Sequence, residues 1–338
     1  MLKTRTLHTG GVVELADVAR TAAGTYGFSE SAELERFTLT ENSTYRVSEP
    51  GRSPIVIRIY RPGGRPAVEV QSELAWMRAL RSELGPMLPT IIAGLDDSEL
   101  VEVIRAGALP SCFCVAFSLA PGYEPHEDEL AAWFPRLGEI TARFHQQARG
   151  WTPPAWFSRP TWNVSTTLGD RPHWGPWNSS VPDADERAQL QRLADLVTTR
   201  LRRFGTGPGR FGLVHADLRL ANLVVDGDDI QVIDFDDCGF SWYLYDLACA
   251  LTFNEGRPDV DELIAGWVEG YRTIEPLSGA DEAEIPTFLM LRRLMLSAYA
   301  GLRPDTELAH ELAQNRFAAE TCALSEGYCG RFDRGHAP

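Results

Sequence analysis

Residues 214–222 read "VHADLRLAN", and what this stretch can hold decides how the rest of the chain is read. Leu213, Val214 and Leu218 surround His215, Asp217, Arg219 and Asn222, so a base, an acid, a cation and an amide leave one short turn together. Downstream lies the apolar run "NLVVDG", then a Gly227-Asp228 turn, then "DIQVIDFDD". That is a β-hairpin signal, and it folds Asp234 back beside Asn222. Asp236, two residues on, shares the face of Asp234 if the segment stays extended. Three carboxylates then crowd one pocket, at a cost of roughly 3 kcal/mol per like-charge pair about 5 Å apart. Such an arrangement needs a cation or a proton.

An Asn and an Asp offering oxygens from neighbouring loops suit Mg²⁺, which keeps several waters and takes substrate phosphates at its remaining positions. Asp217 is then free of the metal, able to orient a hydroxyl and accept its proton during phosphoryl transfer. Arg219 sits two residues further on, an offset that turns its charge toward the transferring phosphoryl and away from Asp217. Together these parts describe phosphoryl transfer from a magnesium nucleotide.

Composition bounds the alternatives. A chain of 338 residues exceeds what one core usually serves and predicts two lobes. With 44% hydrophobic and 23% charged residues it has the make-up of a folded globular protein. A formal charge of −15 excludes a nucleic-acid binder that works by neutralising phosphates. The six cysteines form no C-x-x-C pair, which argues for thiols in a reducing cytoplasm. The opening "MLKTRTLHTG" lacks the apolar core of a signal peptide, and "IPTFLMLRRLMLSAYAGL" is broken by Arg292 and Arg293, so no membrane partner is expected.

The first third reads as strands with one helix: 33–47 and 53–60 as an antiparallel pair around "SEPGRS", an amphipathic helix over 71–84 that stops at Gly85-Pro86, and strands at 99–105 and 111–120. In "IVIRIY" the alternation puts Ile55, Ile57 and Ile59 on one face, packed under the helix of 71–84, and Val56, Arg58 and Tyr60 on the other. Helical periodicity marks 136–148, 184–204, 260–272 and 285–300. Between them, 150–182 scatters five tryptophans among Pro, Gly and Ser, which reads as an anchoring cluster under a long loop. His145 reads as a packed histidine, and Cys112 and Cys114 as packing residues.

"HADLRLAN", "VIDFDD" and "YDLA" resemble the catalytic core of the aminoglycoside phosphotransferase and choline kinase superfamily, small-molecule relatives of protein kinases. "VIRIYRP", "SELAWMRAL" and "PTFLMLRRL" are similar to a bacterial branch with homoserine kinase type II and the stress-response Ser/Thr kinases. The resemblance implies an α+β, bilobal, protein-kinase-like fold, with a small β-rich N-lobe over 1–118 that binds nucleotide and a larger, mainly helical C-lobe over 119–338. It implies an enzyme that moves the γ-phosphoryl group of ATP, with Mg²⁺, to a hydroxyl of a small molecule such as an amino alcohol or aminoglycoside. Asp217 would be the base, Asn222 and Asp234 the metal ligands, and Asp236 a further acid near the metal. Asp246 and His215 would brace the loop.

The resemblance also has departures. Kinases carry a Lys, paired to a helix Glu, where this chain has Arg58, with Glu73 as candidate partner. No G-x-G-x-x-G is present, so Asn42, Ser43 and Thr44 would cover the phosphates by backbone and hydroxyl donors. The adenine would lie between Val56 and the linker strand through Ala116, Phe117 and Leu119. Ala216 stands where the family often has Gly. A protein Ser/Thr kinase is the main alternative, opposed by the nine residues between Asp236 and Asp246, too few for a peptide-docking segment. A non-catalytic nucleotide-binding module is opposed by the intact Asp217, Asn222 and Asp234.

Overall fold

A computed structural model of the chain describes residues 2–6, 15–39, 42–104 and 110–332. Its elements begin with β1 (Leu2–Thr6), α1 (Leu15–Thr25), β2 (Glu33–Leu39), β3 (Ser43–Ser48), β4 (Ile55–Ile59), α2 (Ala67–Leu84), β5 (Ile91–Ile92), β6 (Leu100–Ile104) and β7 (Cys112–Ser118). They continue with α3 (Leu130–Gly150), α4 (Val164–Thr167), α5 (Ala184–Phe204), β8 (Phe211–Val214), β9 (Leu223–Asp226), β10 (Asp229–Val232) and β11 (Gly239–Trp242). The rest is helical: α6 (Leu244–Ala250), α7 (Val260–Arg272), α8 (Gly279–Glu282), α9 (Ile285–Leu302), α10 (Glu307–Gln314) and α11 (Phe317–Phe332). The chain divides into two units, one of residues 1–124, 152–159 and 223–236, the other of 125–151, 160–222 and 237–338.

The first unit is built on a sheet of order β1-β6-β7-β4-β3-β2, with β5 also pairing β7. All its neighbours are antiparallel except β1 and β6. The stretch 33–47, expected as one strand, holds two: β2 and β3, which pair with each other antiparallel. Ile55, Ile57 and Ile59 do share a buried face, but the helix over them is α1, not 71–84; Val18, Ala19, Ala22 and Ala23 join them in one core with Val47, Val101 and Val103. The small alanines of α1 let a helix lie close to a sheet whose own residues are bulky and β-branched, and for the same reason they make a weak hydrophobic signal.

The opposite face of β4 meets α2. This helix starts four residues before the periodicity suggests, after Pro66, whose fixed φ suits a helix entrance, and ends at Gly85 with φ 63°. It buries Leu74, Trp76, Met77 and Leu80, and Trp76 stands edge-on to Phe235 at 5.5 Å.

The β9–β10 hairpin, expected inside the second lobe, belongs to the first unit. Tyr123 and Val225 exchange backbone hydrogen bonds of 3.0 and 2.9 Å. That pairing brings the strand so close to Gly122 that a Cβ there would lie 2.0 Å from the Val225 carbonyl oxygen, and Gly122 has φ 110°.

In the second unit α5 and α7 have the bounds read from the sequence, α9 runs two residues further than its periodic core, and α3 starts six residues earlier than its periodic core and ends two residues later. α3 packs on α7 so closely that a Cβ at Gly270 would sit 1.8 Å from the Pro135 carbonyl oxygen. α9 is buried nearly all round, with Phe204 and Trp242 on Phe288 at 5.3 and 5.9 Å. β8 pairs with β11, Val214 opposite Gly239. The tryptophan-rich stretch contributes a packed cluster, Trp162 on Trp174 at 5.2 Å and Trp174 on Tyr299 at 5.5 Å. Its first part, 152–159, folds with the first unit instead. Among the described residues, no helix is long and apolar enough to cross a membrane, and no disulfide joins the cysteines.

Candidate active site

The residues expected to form the catalytic loop fall in the second unit. β8 ends at Val214, and the chain enters a bend in which Ala216 has φ 65°. A left-handed backbone costs an alanine about 1–2 kcal/mol, so something must hold it. The holder is Asp246, fully buried in the first turn of α6. Its Oδ1 accepts the Ala216 N–H at 2.7 Å and its Oδ2 accepts the His215 N–H at 3.2 Å. His145 Nε2 lies 3.0 Å from the same Oδ2, and its Nδ1 lies 3.0 Å from the Tyr271 hydroxyl. Burial pushes His145 below the usual histidine range despite Asp246, so the neutral ring donates through Nε2 and accepts through Nδ1. His145 is packed, as the sequence reading has it, and it also steadies the loop's brace.

The bend presents Asp217, whose two oxygens are both engaged. Oδ2 accepts from Asn222 Nδ2 at 2.9 Å, and that nitrogen also donates to the Asp217 carbonyl at 2.7 Å. With its NH₂ spent on Asp217, the Asn222 amide keeps its oxygen as the free donor atom. Oδ1 accepts from Arg292 Nη2 at 2.8 Å. Arg292 was visible in the sequence only as an interruption of an apolar helix; two adjacent arginines inside such a helix must each be paired, which is the signal that could have found it. Arg219 departs from expectation. Its Nε lies 3.5 Å from Asp217 Oδ2, because the Arg219 N–H donates back to the Asp217 carbonyl at 3.0 Å and closes the turn on itself. The two-residue offset therefore does not carry its charge clear of Asp217.

The residues expected on the nucleotide side fall in the first unit, where three arginines organise three carboxylates. Arg58 Nη1 donates to the buried Glu73 at 2.9 Å, and its Nη2 lies 3.2 Å from Asp234 Oδ1. Arg65 Nε donates to Asp236 Oδ1 at 2.7 Å. Arg159, from the strap of 152–159, donates to the carbonyls of Glu69, Phe235 and Asp236, and lies 3.9 Å from Glu73 Oε2. Burial pushes the Glu73 carboxyl up while Arg58 and Arg159 pull it back. For Asp236, burial is outweighed by Arg65 and Arg58, which hold it below the usual carboxylate range. The segment past β10 does not stay extended: Asp234 has φ 63°, and the carboxylates of Asp234 and Asp236 go to different arginines. The cations that this acidic cluster requires come first from the chain itself.

The β4–β7 register sets Val56 opposite Phe117 and Ile57 opposite Ala116. The Arg58 guanidinium lies 5.4 Å from the Phe117 ring centre. Thr44 is the cross-strand partner of Arg58 and shares its face, whereas Ser43 is paired with the core residue Ile59 and is itself buried, so its hydroxyl points away from Arg58. Asn42 Oδ1 accepts the Arg61 N–H at 3.2 Å. Leu119, just past β7, is half-buried.

Asn222 offers an amide oxygen, a donor that suits a hard divalent cation. Asp234, in the other unit, offers a carboxylate that is 44% exposed. Among the described residues, no three His, Cys, Asp or Glu side chains are grouped as metal ligands.

The sequence matches the APH family, the phosphotransferase enzyme family, over residues 33–284. The structure is similar to that of a microcompartment-associated aminopropanol kinase, with 40% identity, a TM-score of 0.85, and 94% of this chain and 98% of that chain covered. Amicoumacin kinase of Bacillus subtilis (strain 168) is 26% identical over 287 residues, 81% of each protein. The amicoumacin kinase hAmiN, in complex with AMP-PNP, Ca²⁺ and Ami, shares the fold at a TM-score of 0.76 and 22% identity, with 92% of this chain and 94% of that chain covered. The chain belongs to the phosphotransferase enzyme family and is a kinase, a phosphotransferase with an alcohol group as acceptor.

Proposed function

We propose that this kinase moves the γ-phosphoryl group of ATP to the hydroxyl of a short amino alcohol. The observation that carries the reading is the hold on Asp217: both carboxylate oxygens are fixed, one by Asn222 and one by Arg292, and the side chain is still 18% exposed. A carboxylate so placed orients an acceptor hydroxyl and takes its proton as the oxygen–phosphorus bond forms and the bond to the ADP oxygen breaks. The choice of an amino alcohol rests on the likeness to aminopropanol kinase.

Asn222 and Asp234 are the proposed magnesium ligands, with Asp236 near the metal. Bound there, Mg²⁺ neutralises phosphate charge and fixes the phosphates for in-line transfer. Arg58, held by Glu73, grips the phosphates from β4, where a planar fork serves better than an ammonium. Asn42 and Thr44 cover them, and Val56, Ala116, Phe117 and Leu119 line the adenine site. Arg219, beside Asp217, meets the charge on the transferring group. Most of the rate then comes from positioning and electrostatics.

The test is ADP release and phosphorus NMR of the product, with ATP and Mg²⁺, over 1-amino-2-propanol, ethanolamine, choline, homoserine and aminoglycosides. An O-phosphorylated short amino alcohol made with the highest kcat/KM is the expected result. An aminoglycoside or a protein phosphorylated in preference would overturn the substrate class.

A further inference from the structure

The arginine pair that interrupts α9 serves two different purposes. Consecutive helix residues point about 100° apart, so Arg292 and Arg293 cannot face the same neighbours. Arg293 is fully buried and tied to Glu255 at 2.9 Å, Glu320 at 2.7 Å and Thr321 at 2.9 Å, which pins the rotation of α9 against α11 and the turn after α6. Arg292 is thereby aimed at the catalytic loop. Its guanidinium has three partners at once: Nε donates to Thr252 Oγ1 at 3.1 Å, Nη1 to the Tyr245 hydroxyl at 3.0 Å, and Nη2 to Asp217 Oδ1 at 2.8 Å. Its side chain is only 5% exposed. Two of its partners are neutral oxygens, so the carboxylate that meets the buried charge is Asp217.

We propose that Arg292 is a positioning residue of the reaction: it fixes the rotamer of Asp217 by occupying Oδ1, so that Oδ2, beside Asn222 and Arg219, is the oxygen presented to the acceptor hydroxyl. This rests on Asp217 being the base. The geometry separates the two arginines near that carboxylate. Arg219 is partly exposed, 3.5 Å away and at the open side, whereas Arg292 is buried, closer and immobilised at every nitrogen. An aspartate has two soft side-chain torsions, and a carboxylate free to turn would offer its hydroxyl partner many geometries of which few are reactive. Lysine, with one point of charge, could reach Asp217 only by releasing Thr252 and Tyr245.

The experiment is a double-mutant cycle on the full chain, with kcat, KM for ATP and melting temperature measured on each variant. Arg292→Met removes the fork at similar volume. It is expected to lower kcat by about 100-fold, the size of effect that an ångström of misplacement brings, with KM for ATP changed less than about threefold. Arg292→Lys should recover part of kcat. In an Asp217→Asn background, where there is no base left to orient, Arg292→Met should cost less than about threefold more, because residues acting as a unit are not additive. An unchanged kcat in Arg292→Met, or the same loss with and without Asp217, overturns the proposal. If Arg292→Met does not fold, Thr252→Val decides: it must lower kcat several-fold at unchanged KM for ATP, and full turnover refutes the role. Wild-type turnover in Asp217→Asn alone is a different result, since it removes the base assignment itself.

Discussion

Asp246 Oδ1 accepts the backbone N–H of Ala216 at 2.7 Å and so holds a non-glycine residue at φ 65°, one position before the proposed base. The carboxylate is fully buried and is shared with the His215 N–H and with His145. Strain at the loop is therefore balanced by a charge-assisted cluster behind it, and the direction in which Asp217 leaves the loop depends on that balance.

Ala216→Gly should be nearly neutral. Relief of the left-handed alanine is worth about 1–2 kcal/mol. Against it stand roughly 0.5–1 kcal/mol of added chain entropy and about 0.8 kcal/mol for one buried methyl group. Stability within about 1 kcal/mol of wild type and retained turnover are the expected results. Asp246→Asn, by contrast, turns one acceptor oxygen into a donor facing N–H groups, and should cost about 2–4 kcal/mol and most of the activity. Denaturant melts and turnover of the two variants, side by side, check this; equal effects would contradict the account.

Arg58→Lys should raise KM for ATP by about tenfold, or 1.4 kcal/mol, because an ammonium cannot bridge Glu73 and Asp234 as the guanidinium does at 2.9 and 3.2 Å. Arg58→Met should chiefly lower the melting temperature, since it leaves the buried Glu73 without its closest cation, a loss of about 3–5 kcal/mol. ATP titration and thermal melting separate the two effects. Unaltered ATP binding by the lysine variant would refute the assignment.

His145 gives stability a pH dependence. Burial lowers its folded-state pKa from the ordinary 6.5, so the unfolded chain takes up the proton first on acidification. Its contribution is complete above about 6.5 and is lost as pH falls from there toward the lowered value. His145→Gln should melt lower than wild type at about pH 8 yet lose less between about pH 7 and pH 5. Parallel curves for the two proteins would remove His145 as the source.

Some regions of the fold are more legible in the sequence than others, for physical reasons. α5 and α7 alternate charged and apolar faces cleanly, so periodicity alone gives their ends. α1 was missed because its buried face is mostly alanine, and β8 and β11 because four-residue strands carry too little pattern. The loop of Ala216, Asp217 and Asn222 is local in sequence, so its polar residues can be singled out there. Arg292 and Arg159 are not, since each acts on residues 75 or more positions away, and only the fold brings them there. The expectation for Asp234 and Asp236 failed on one torsion: a left-handed residue inside an apparent strand turns the next side chains to new partners.

Asp217 is the proposed base in a transfer to a hydroxyl. Asp217→Asn, assayed with Mg²⁺, ATP and the preferred amino alcohol, tests it most directly, with nucleotide affinity measured on the same preparation. Turnover should fall by roughly 10³-fold or more at nearly unchanged nucleotide affinity. Turnover within a few-fold of wild type would contradict this role.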